Sequence, residues 1–583
     1  MKSHEGTRIN IFFGIIILIA SLISYRLFIL SYVRHYSYSM TAEAQSDKIS
    51  NILARGNIYI LDPKATVDES KSNLFLAATN KKFPLVYIVP TSVPIDKATE
   101  LSEKLSTIIK VDKDEILKVI NSKSNNSKVI KRKLETSQVN DIKNINIDGV
   151  GISYEIDRFY PNDELASDIL GFLGYNGSDR VGQYGIEAFY DSALFGRSEN
   201  SSNIVDTSKI KNFWSNLFSK KNNSSTNSAN INKPSDIVTT IDRNIQFFIE
   251  NKLEELLKKW NAEKGLIIVQ DPITGKIIAM ADRPSFNPND YGGYSPNIFL
   301  NSSVQEQFEP GSSFKPITMA AGLDLAKVTP TTTYTDTGVV EVAGKKIQNF
   351  DEQAHGVMTM TQVLEKSLNT GAIFVENTIG DDNFLNYVIN MGFGQKTGID
   401  LPGEINGDIT NLYSGRKINF LTASFGQGIA VTPLQLINAY SAIANGGKLM
   451  RPYIVEKIIK GNGEEVVTNP EVVTIPISEK TSTKLKTMLV NVVDRGFDKA
   501  RITGYDVAGK TGTAQIPDGK GGYLENEFIH DFLGFAPAYN PKFVVLVRMD
   551  KPQGIKFAAD SLSPTFREIA SFLLNYYNIP PTR

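Results

Sequence analysis

The stretch Glu309-Pro310-Gly311-Ser312-Ser313-Phe314-Lys315-Pro316 constrains this chain more than any other, because it sets a hydroxyl and an amine between a turn and an apolar run. Phe314, Ile317, Met319, Ala320, Leu323 and Leu325 make that run compatible with a buried helix. Residues three apart on a helix share one face, so Ser312 Oγ and the Lys315 ammonium can meet there. A serine becomes a nucleophile when a neighbouring base takes its proton, and Lys315 is placed to do so. The helix N-terminus adds positive potential where an acyl oxyanion would form. An ordinary capped helix with a solvated lysine remains open on this motif alone.

Composition narrows the chemistry. With 583 residues, the chain has room for two or more domains, and its 41% hydrophobic and 21% charged residues are ordinary for a globular protein. A net charge of -1 argues against a nucleic-acid binder. The absence of cysteine excludes disulfides, zinc ribbons and a thiol nucleophile. Of the four histidines, His4, His35, His355 and His530, neither of the two distal ones sits in a recognisable Ser-His-Asp setting, and both are expected to be structural.

Along the chain, residues 1–8 read as a short cytoplasmic tail and 9–33 as a transmembrane anchor, uncharged from Ile11 to Ile23 and interrupted late by Arg26. The competing reading is a cleaved signal peptide, but its A-x-A match, Ala42-Glu43-Ala44, lies well beyond the apolar core. Everything after the anchor would be extracytoplasmic. Residues 34–235 are mixed, with β-like runs such as Leu85–Val89 and a charged helical stretch from Ala98 to Lys123. They assemble no acid/base or metal set. Within them, 198–234 is a polar insertion: ten of the sixteen positions 219–234 are Ser, Thr or Asn, which reads as a flexible linker. An amphipathic helix at 208–221 places Ile210, Phe213, Trp214, Leu217 and Phe218 on one face, suited to a membrane surface, a partner or its own domain.

From 236 to 583 the pattern is that of a compact α/β domain. An amphipathic helix spans Ile245 to Trp260, two strands follow at Lys264–Val269 and Lys276–Met280, and Asp271–Gly275 turns between them. Helical runs around Ser367-Leu368-Asn369, from Thr432 to Asn445 and from Ser563 to Tyr576, with late strands at Val507–Ala514 and Phe543–Val547, fit a sheet covered by helices on both faces.

Ser312-x-x-Lys315, Ser367-x-Asn369 and Lys510-Thr511-Gly512, in this order and at these gaps, closely resemble the signature of penicillin-binding proteins and serine β-lactamases. Phe308–Ser312, Arg283–Asn289, Gly426–Ile429 with Thr432–Gln435, Ala444–Gly447 and Gly534–Pro537 resemble class B penicillin-binding transpeptidases. Arg55–Ile58, Arg158–Pro161 and Gly185–Glu187 resemble their pedestal domain. Lys396-Thr397-Gly398 also spells the third motif, but Leu401-Pro402-Gly403-Glu404 follows, a poor continuation for a strand that pairs with substrate, and it is discarded.

The resemblance implies an α/β fold class: an N-terminal transmembrane helix, an elongated mixed α+β pedestal of the dimerisation type, and a C-terminal serine β-lactamase/transpeptidase-like domain with a central antiparallel sheet flanked by helices. It implies a D,D-transpeptidase acting on peptidoglycan stem peptides that end in D-Ala-D-Ala, through a Ser312 acyl-enzyme that β-lactams also form. Lys315 would be the base, Ser367 a proton relay, and Asn369 a ligand of the substrate amide and of Lys315. Lys510 would supply positive potential. Thr511, Gly512 and Thr513 would bind substrate, with the amides of Ser312 and Thr513 as oxyanion hole. No metal or organic cofactor is called for. A neutral Lys315 near pH 7 requires a fall of ~3 pKa units from ~10.4, at ~4 kcal/mol, and burial beside Lys510 could supply it. Ser313 would point off the site and tolerate replacement. The resemblance leans to the division type, partnered by a polytopic lipid II glycosyltransferase and other divisome proteins at the inner (cytoplasmic) membrane. The alternatives are an elongation-type transpeptidase, a β-lactam sensor and a β-lactamase. A bifunctional class A enzyme would need a glycosyltransferase domain, which has no counterpart between residues 34 and 236.

Overall fold

A computed structural model describes residues 55–63, 73–196 and 233–583, apart from positions 123, 125, 146, 178, 343, 497, 520 and 521, together with six positions between 17 and 24. Most of the expected anchor, and the whole amphipathic segment 208–221, lie outside the described residues. Among those described, no helix is long and apolar enough to cross a membrane. By contacts the chain divides into two units, one comprising residues 80–157 with the positions before 56, the other comprising 56–79 and 158–583.

In the smaller unit, the helical stretch expected from Ala98 to Lys123 is two helices, Ala98–Ile109 and Lys113–Ile120. The break falls at Lys110, whose backbone is left-handed (φ 53) and closes the first helix. Asp112 then caps the second by accepting from the amides of Asp114 and Glu115. With Thr136–Lys143, these helices bury Leu101, Leu105, Ile109, Ile116 and Ile142 against Val86 and Ile88.

The larger unit is built on a five-stranded antiparallel sheet: β1 (Lys264–Gln270), β2 (Ile277–Arg283), β3 (Ala508–Pro517), β4 (Tyr523–Ala536) and β5 (Phe543–Asp550), in the order β3-β4-β5-β1-β2. Alternation along each strand divides its side chains between two cores. Leu266, Ile268, Leu533, Val544 and Leu546 enter one. Ile267, Val269, Phe532, Val545 and Val547 enter the other, under helices α1 (Arg243–Trp260) and α5 (Ala558–Tyr576). The first face is covered by α2 (Lys315–Asp324), α3 (Asn369–Ile379) and α4 (Pro433–Ala444). The expected strands and helices lie within these elements or overrun them by one residue at an end, with one exception. The helical run expected around Ser367-Leu368-Asn369 starts only at Asn369, because Ser367 takes a left-handed backbone (φ 58) that breaks it from the helix Met360–Glu365. The sequence reading missed β4 as a strand, though among the described residues it is the only strand paired with β3 and so fixes that strand's place at the sheet edge.

A second sheet in this unit pairs Ile58–Leu61 in parallel with Asp236–Asp242, which pairs antiparallel with Val455–Ile459. The three pedestal motifs converge beside it. Arg158 Nε donates to Glu187 at 2.6 Å and its Nη1 to the Gly56 carbonyl at 2.8 Å, while Tyr160 donates to the same Glu187 oxygen at 3.2 Å. A Cβ on Gly56 would lie 1.8 Å from the Ser235 carbonyl, so that position accepts only glycine. Asn289, from the Arg283–Asn289 stretch, brackets Tyr160 by accepting from its amide and donating to its carbonyl. These motifs are structural joints.

Candidate active site

The segment of the candidate nucleophile Ser312 differs from the expected α-helix in one respect. Gly311–Phe314 form a turn of 3-10 helix, and α2 begins only at Lys315 with Pro316 in its first turn. In a 3-10 turn, residues i and i+3 eclipse, which stacks Lys315 directly over Ser312. Lys315 Nζ lies 3.0 Å from Ser312 Oγ. From Lys315 to Leu323 every residue of α2 is buried, so the lysine is held by a helix that packs on all sides. The turn is locked from below: Gly311 donates to the Gly426 carbonyl at 3.0 Å, Glu309 accepts from the Gly428 amide at 3.0 Å, and Phe308 and Val431 exchange backbone bonds. A Cβ on Gly426 would meet the Gly311 carbonyl at 2.2 Å, which explains the glycine there.

Ser367 lies between the short helix Met360–Glu365 and α3, with its backbone in the left-handed region (φ 58), a strained conformation for a serine. That backbone turns both its oxygens to Lys315, whose Nζ donates to the Ser367 carbonyl and lies 3.2 Å from its Oγ. Lys510 Nζ donates to the same Oγ at 3.0 Å and to the Thr511 carbonyl at 3.0 Å. Ser312, Lys315, Ser367 and Lys510 thus form one connected cluster. Asn369 does not join it as expected: its Nδ2 donates to the Gln348 carbonyl at 2.8 Å, not to Lys315. The reason is positional, since Asn369 opens α3 and a neighbouring carbonyl takes its amide.

Strand β3 is the edge strand, and its backbone passes beside the nucleophile: a Cβ on Gly311 would lie 3.2 Å from the Thr513 carbonyl. Lys510 and Gly512 share one side-chain face of β3, Thr511 and Thr513 the other. Thr511 is buried, and the half-buried Thr513 Oγ1 accepts from the Ala558 amide at 3.2 Å, keeping its own proton for a ligand. Ser313 Oγ turns away from Ser312 and donates to the Pro310 carbonyl at 2.8 Å. The decoy Lys396-Thr397-Gly398 lies in a loop outside any strand, where the Glu404 carboxylate accepts from the Thr397 amide and hydroxyl and from the Gly398 amide. Glu309, quoted for its motif but given no role by the sequence, also accepts from the Tyr523 hydroxyl at 3.0 Å.

Electrostatics set the protonation. Burial, and then the charge of Lys510, push Lys315 well below the ordinary lysine range. Burial also pushes Lys510 down to about 7, opposed by Asp531. A neutral Lys315 can accept the Ser312 proton, and Ser367 Oγ, touching both lysines, can pass it on. Among the described residues, no group of three or more His, Cys, Asp or Glu could hold a metal ion. His530 is buried with Nδ1 2.9 Å from Ser561 Oγ, and burial pushes it down to about 4. His355 pairs with Asp351 at 2.9 Å on the surface, so neither faces Ser312.

Residues 265–571 match the family profile described as the penicillin binding protein transpeptidase domain, and 55–227 match the penicillin-binding protein dimerisation domain. Stage V sporulation protein D of Bacillus subtilis is 34% identical over 87% of this chain and 77% of its own length. The probable peptidoglycan D,D-transpeptidase PbpC of Pseudomonas aeruginosa is 30% identical over 78% and 76%. Among solved structures, penicillin-binding protein 3 from Mycobacterium tuberculosis, complexed with aztreonam, aligns with a TM-score of 0.63 and 27% identity over 74% of this chain and 92% of that one. The three motifs, the dimerisation domain ahead of them and these likenesses agree, and the chain belongs to the class B penicillin-binding proteins of the transpeptidase family.

Proposed function

We propose that this protein is a serine-type peptidoglycan D,D-transpeptidase that cross-links stem peptides in septal wall synthesis. The observation that carries the chemistry is Lys315 Nζ, buried, within 3.0 Å of Ser312 Oγ and 3.2 Å of Ser367 Oγ. Ser312 attacks the penultimate carbonyl of a D-Ala-D-Ala end as Lys315 takes its proton. The tetrahedral oxyanion sits against the amides of Ser312 and Thr513. The proton passes by Ser367 to the departing D-Ala amine, leaving an acyl-enzyme. An amine of a second stem then attacks the ester carbon, its proton returns to Ser312 Oγ, and an amide cross-link forms. Lys510, Thr511 and Thr513 hold the donor's terminal carboxylate, and Asn369, once released from Gln348, holds the donor amide.

β-Lactams enter the same cycle as mimics of the D-Ala-D-Ala end and acylate Ser312. A relative, penicillin-binding protein 3 of Mycobacterium tuberculosis, solved in complexes with aztreonam and with ampicillin, supports this. The apolar run 9–33 supports a single-pass anchor in the cytoplasmic membrane with the catalytic domain outside, residues 34–235 forming the pedestal and 236–583 the transpeptidase domain. A polytopic lipid II glycosyltransferase is the partner that this arrangement calls for. Labelled penicillin tests the reading: wild type takes up the label covalently and Ser312→Ala does not. Label retained by Ser312→Ala overturns the nucleophile.

The likeness to a protein named for stage V of sporulation favours a second reading, the same reaction serving spore formation. Depletion separates the two. Blocked septation supports the division role, whereas normal division with failed sporulation supports the other.

A further inference from the structure

Behind the catalytic strand lies a carboxylate that the roles above do not use. Asp531 stands on β4 opposite Gly512 of β3 and is fully buried. A Cβ on Gly512 would lie 2.2 Å from Asp531 Oδ2 and 2.6 Å from its Cγ. The residue at 512 is glycine because the carboxylate occupies the space where its side chain would be. Neither oxygen of Asp531 has a hydrogen-bond partner among the described residues. A carboxylate in that position is stable as an anion only where positive charge faces it.

Four elements bring polar groups to it. From the turn at Gly311–Phe314, the Ser313 hydroxyl donates to Pro310 and favours the Asp531 anion without completing a hydrogen bond to it. From α4, the Tyr440 hydroxyl donates to the Ser313 carbonyl at 2.7 Å. From β5, Arg548 is the register partner of Asp531, but it already makes two hydrogen bonds to Asp550, at 2.8 and 2.7 Å, with Glu306 a further 3.8 Å contact. From β3, Lys510 lies on the same side-chain face as Gly512 and hydrogen-bonds the neutral oxygens of Ser367 and Thr511.

The geometry points to Asp531 as a positioning residue: its charge, set behind the gap left by Gly512, holds the proton on Lys510 and so leaves Lys315 as the lysine that is neutral. The inference rests on the roles proposed above for the two lysines. Burial pushes Asp531 up and Lys510 down, each to about 7, and each one's charge favours the other's. The charge of Lys510 in turn lowers Lys315. Asp531, Lys510 and Lys315 follow one another from the core to Ser312, each biasing the charge of the next. Without Asp531, two buried lysines would share protons without the anion behind Gly512 that favours the charge of Lys510.

The test is the pH profile of acylation by a fluorescent penicillin, measured on the full chain. Its acid limb reports loss of the Lys315 proton and its alkaline limb loss of the Lys510 proton. In Asp531→Asn the alkaline limb moves to lower pH by about one unit, lowering the rate constant at pH 9 about tenfold, while the acid limb moves less. An alkaline limb that stays where it is in the wild type overturns the inference, and so does an equal loss at every pH, which is what a merely structural role would give. If Asp531→Asn does not fold, Asp531→Ser carries the same readout. These outcomes are independent of Ser312→Ala, whose retained label would overturn the nucleophile and leave the link between Asp531 and Lys510 to the profile.

Discussion

Two of the places where the larger unit buries charge handle it in opposite ways. At the joint of the pedestal motifs, Arg158 and Glu187 are 1% and 0% exposed and 2.6 Å apart, and Tyr160 and the Gly56 carbonyl complete the pair. At the active site, Lys315 and Lys510 are just as buried, at 1% and 0%, yet they share the Ser367 hydroxyl as two like charges. The first arrangement cancels its charge and holds the chain in register. The second leaves like charges side by side, and burial together with that conflict pushes Lys315 toward its neutral form. Burial alone therefore does not separate structure from function in this protein; the sign of the neighbour does.

Removing the base breaks the comparison most sharply. Lys315→Met should lower the rate of penicillin acylation by about 10²–10⁴-fold without lowering the melting temperature, because it deletes a buried group that resists being charged. Breaking the other pair should do the reverse. Glu187→Ala should cost about 3–5 kcal/mol in denaturant unfolding, since it strands a buried guanidinium, while the folded fraction keeps its acylation rate.

The pH dependence of stability sharpens the contrast. Lys315 and Lys510 have folded pKa values below their unfolded ones, so the unfolded chain binds more protons and their contribution to stability rises with pH between the two values. Lys315→Met should flatten that rise in urea titrations run across neutral to alkaline pH. His530, buried and held neutral at about 4, behaves alike in a lower window: its contribution is whole above about 6.5 and falls as pH drops toward 4, by about 3 kcal/mol at most. His530→Gln should remove that acid-side slope. The smallest effect belongs to Ser313→Ala, which loses one buried hydrogen bond to Pro310, worth about 1 kcal/mol in urea unfolding. The residue points off the site, as expected from the sequence, but it is part of the core behind it.

Much of the site was legible in the primary structure because its parts are local. Ser312 and Lys315 lie within one turn, and their spacing alone puts them on one face. The strand residues around Lys510 and the helix from Pro433 announce themselves by small residues and by the Thr432 cap with Pro433 behind it. What could not be read is what depends on partners distant in sequence. The hydrogen bond expected between Asn369 and Lys315 is absent because Gln348, 21 residues upstream, takes the amide. Glu309 gains its place from Gly428 and Tyr523, 119 and 214 residues away. Asp531 carries no local signal at all, and only the register of β4 against β3 sets it behind Gly512. By itself, the sequence picked out the candidate nucleophile, the two lysines with Lys315 as the expected base, and the order of the motifs, since spacing and residue chemistry act over a few residues. Only the tertiary structure supplied the burial and the neighbouring charges that favour a neutral Lys315, because long-range strand pairing brings those groups together.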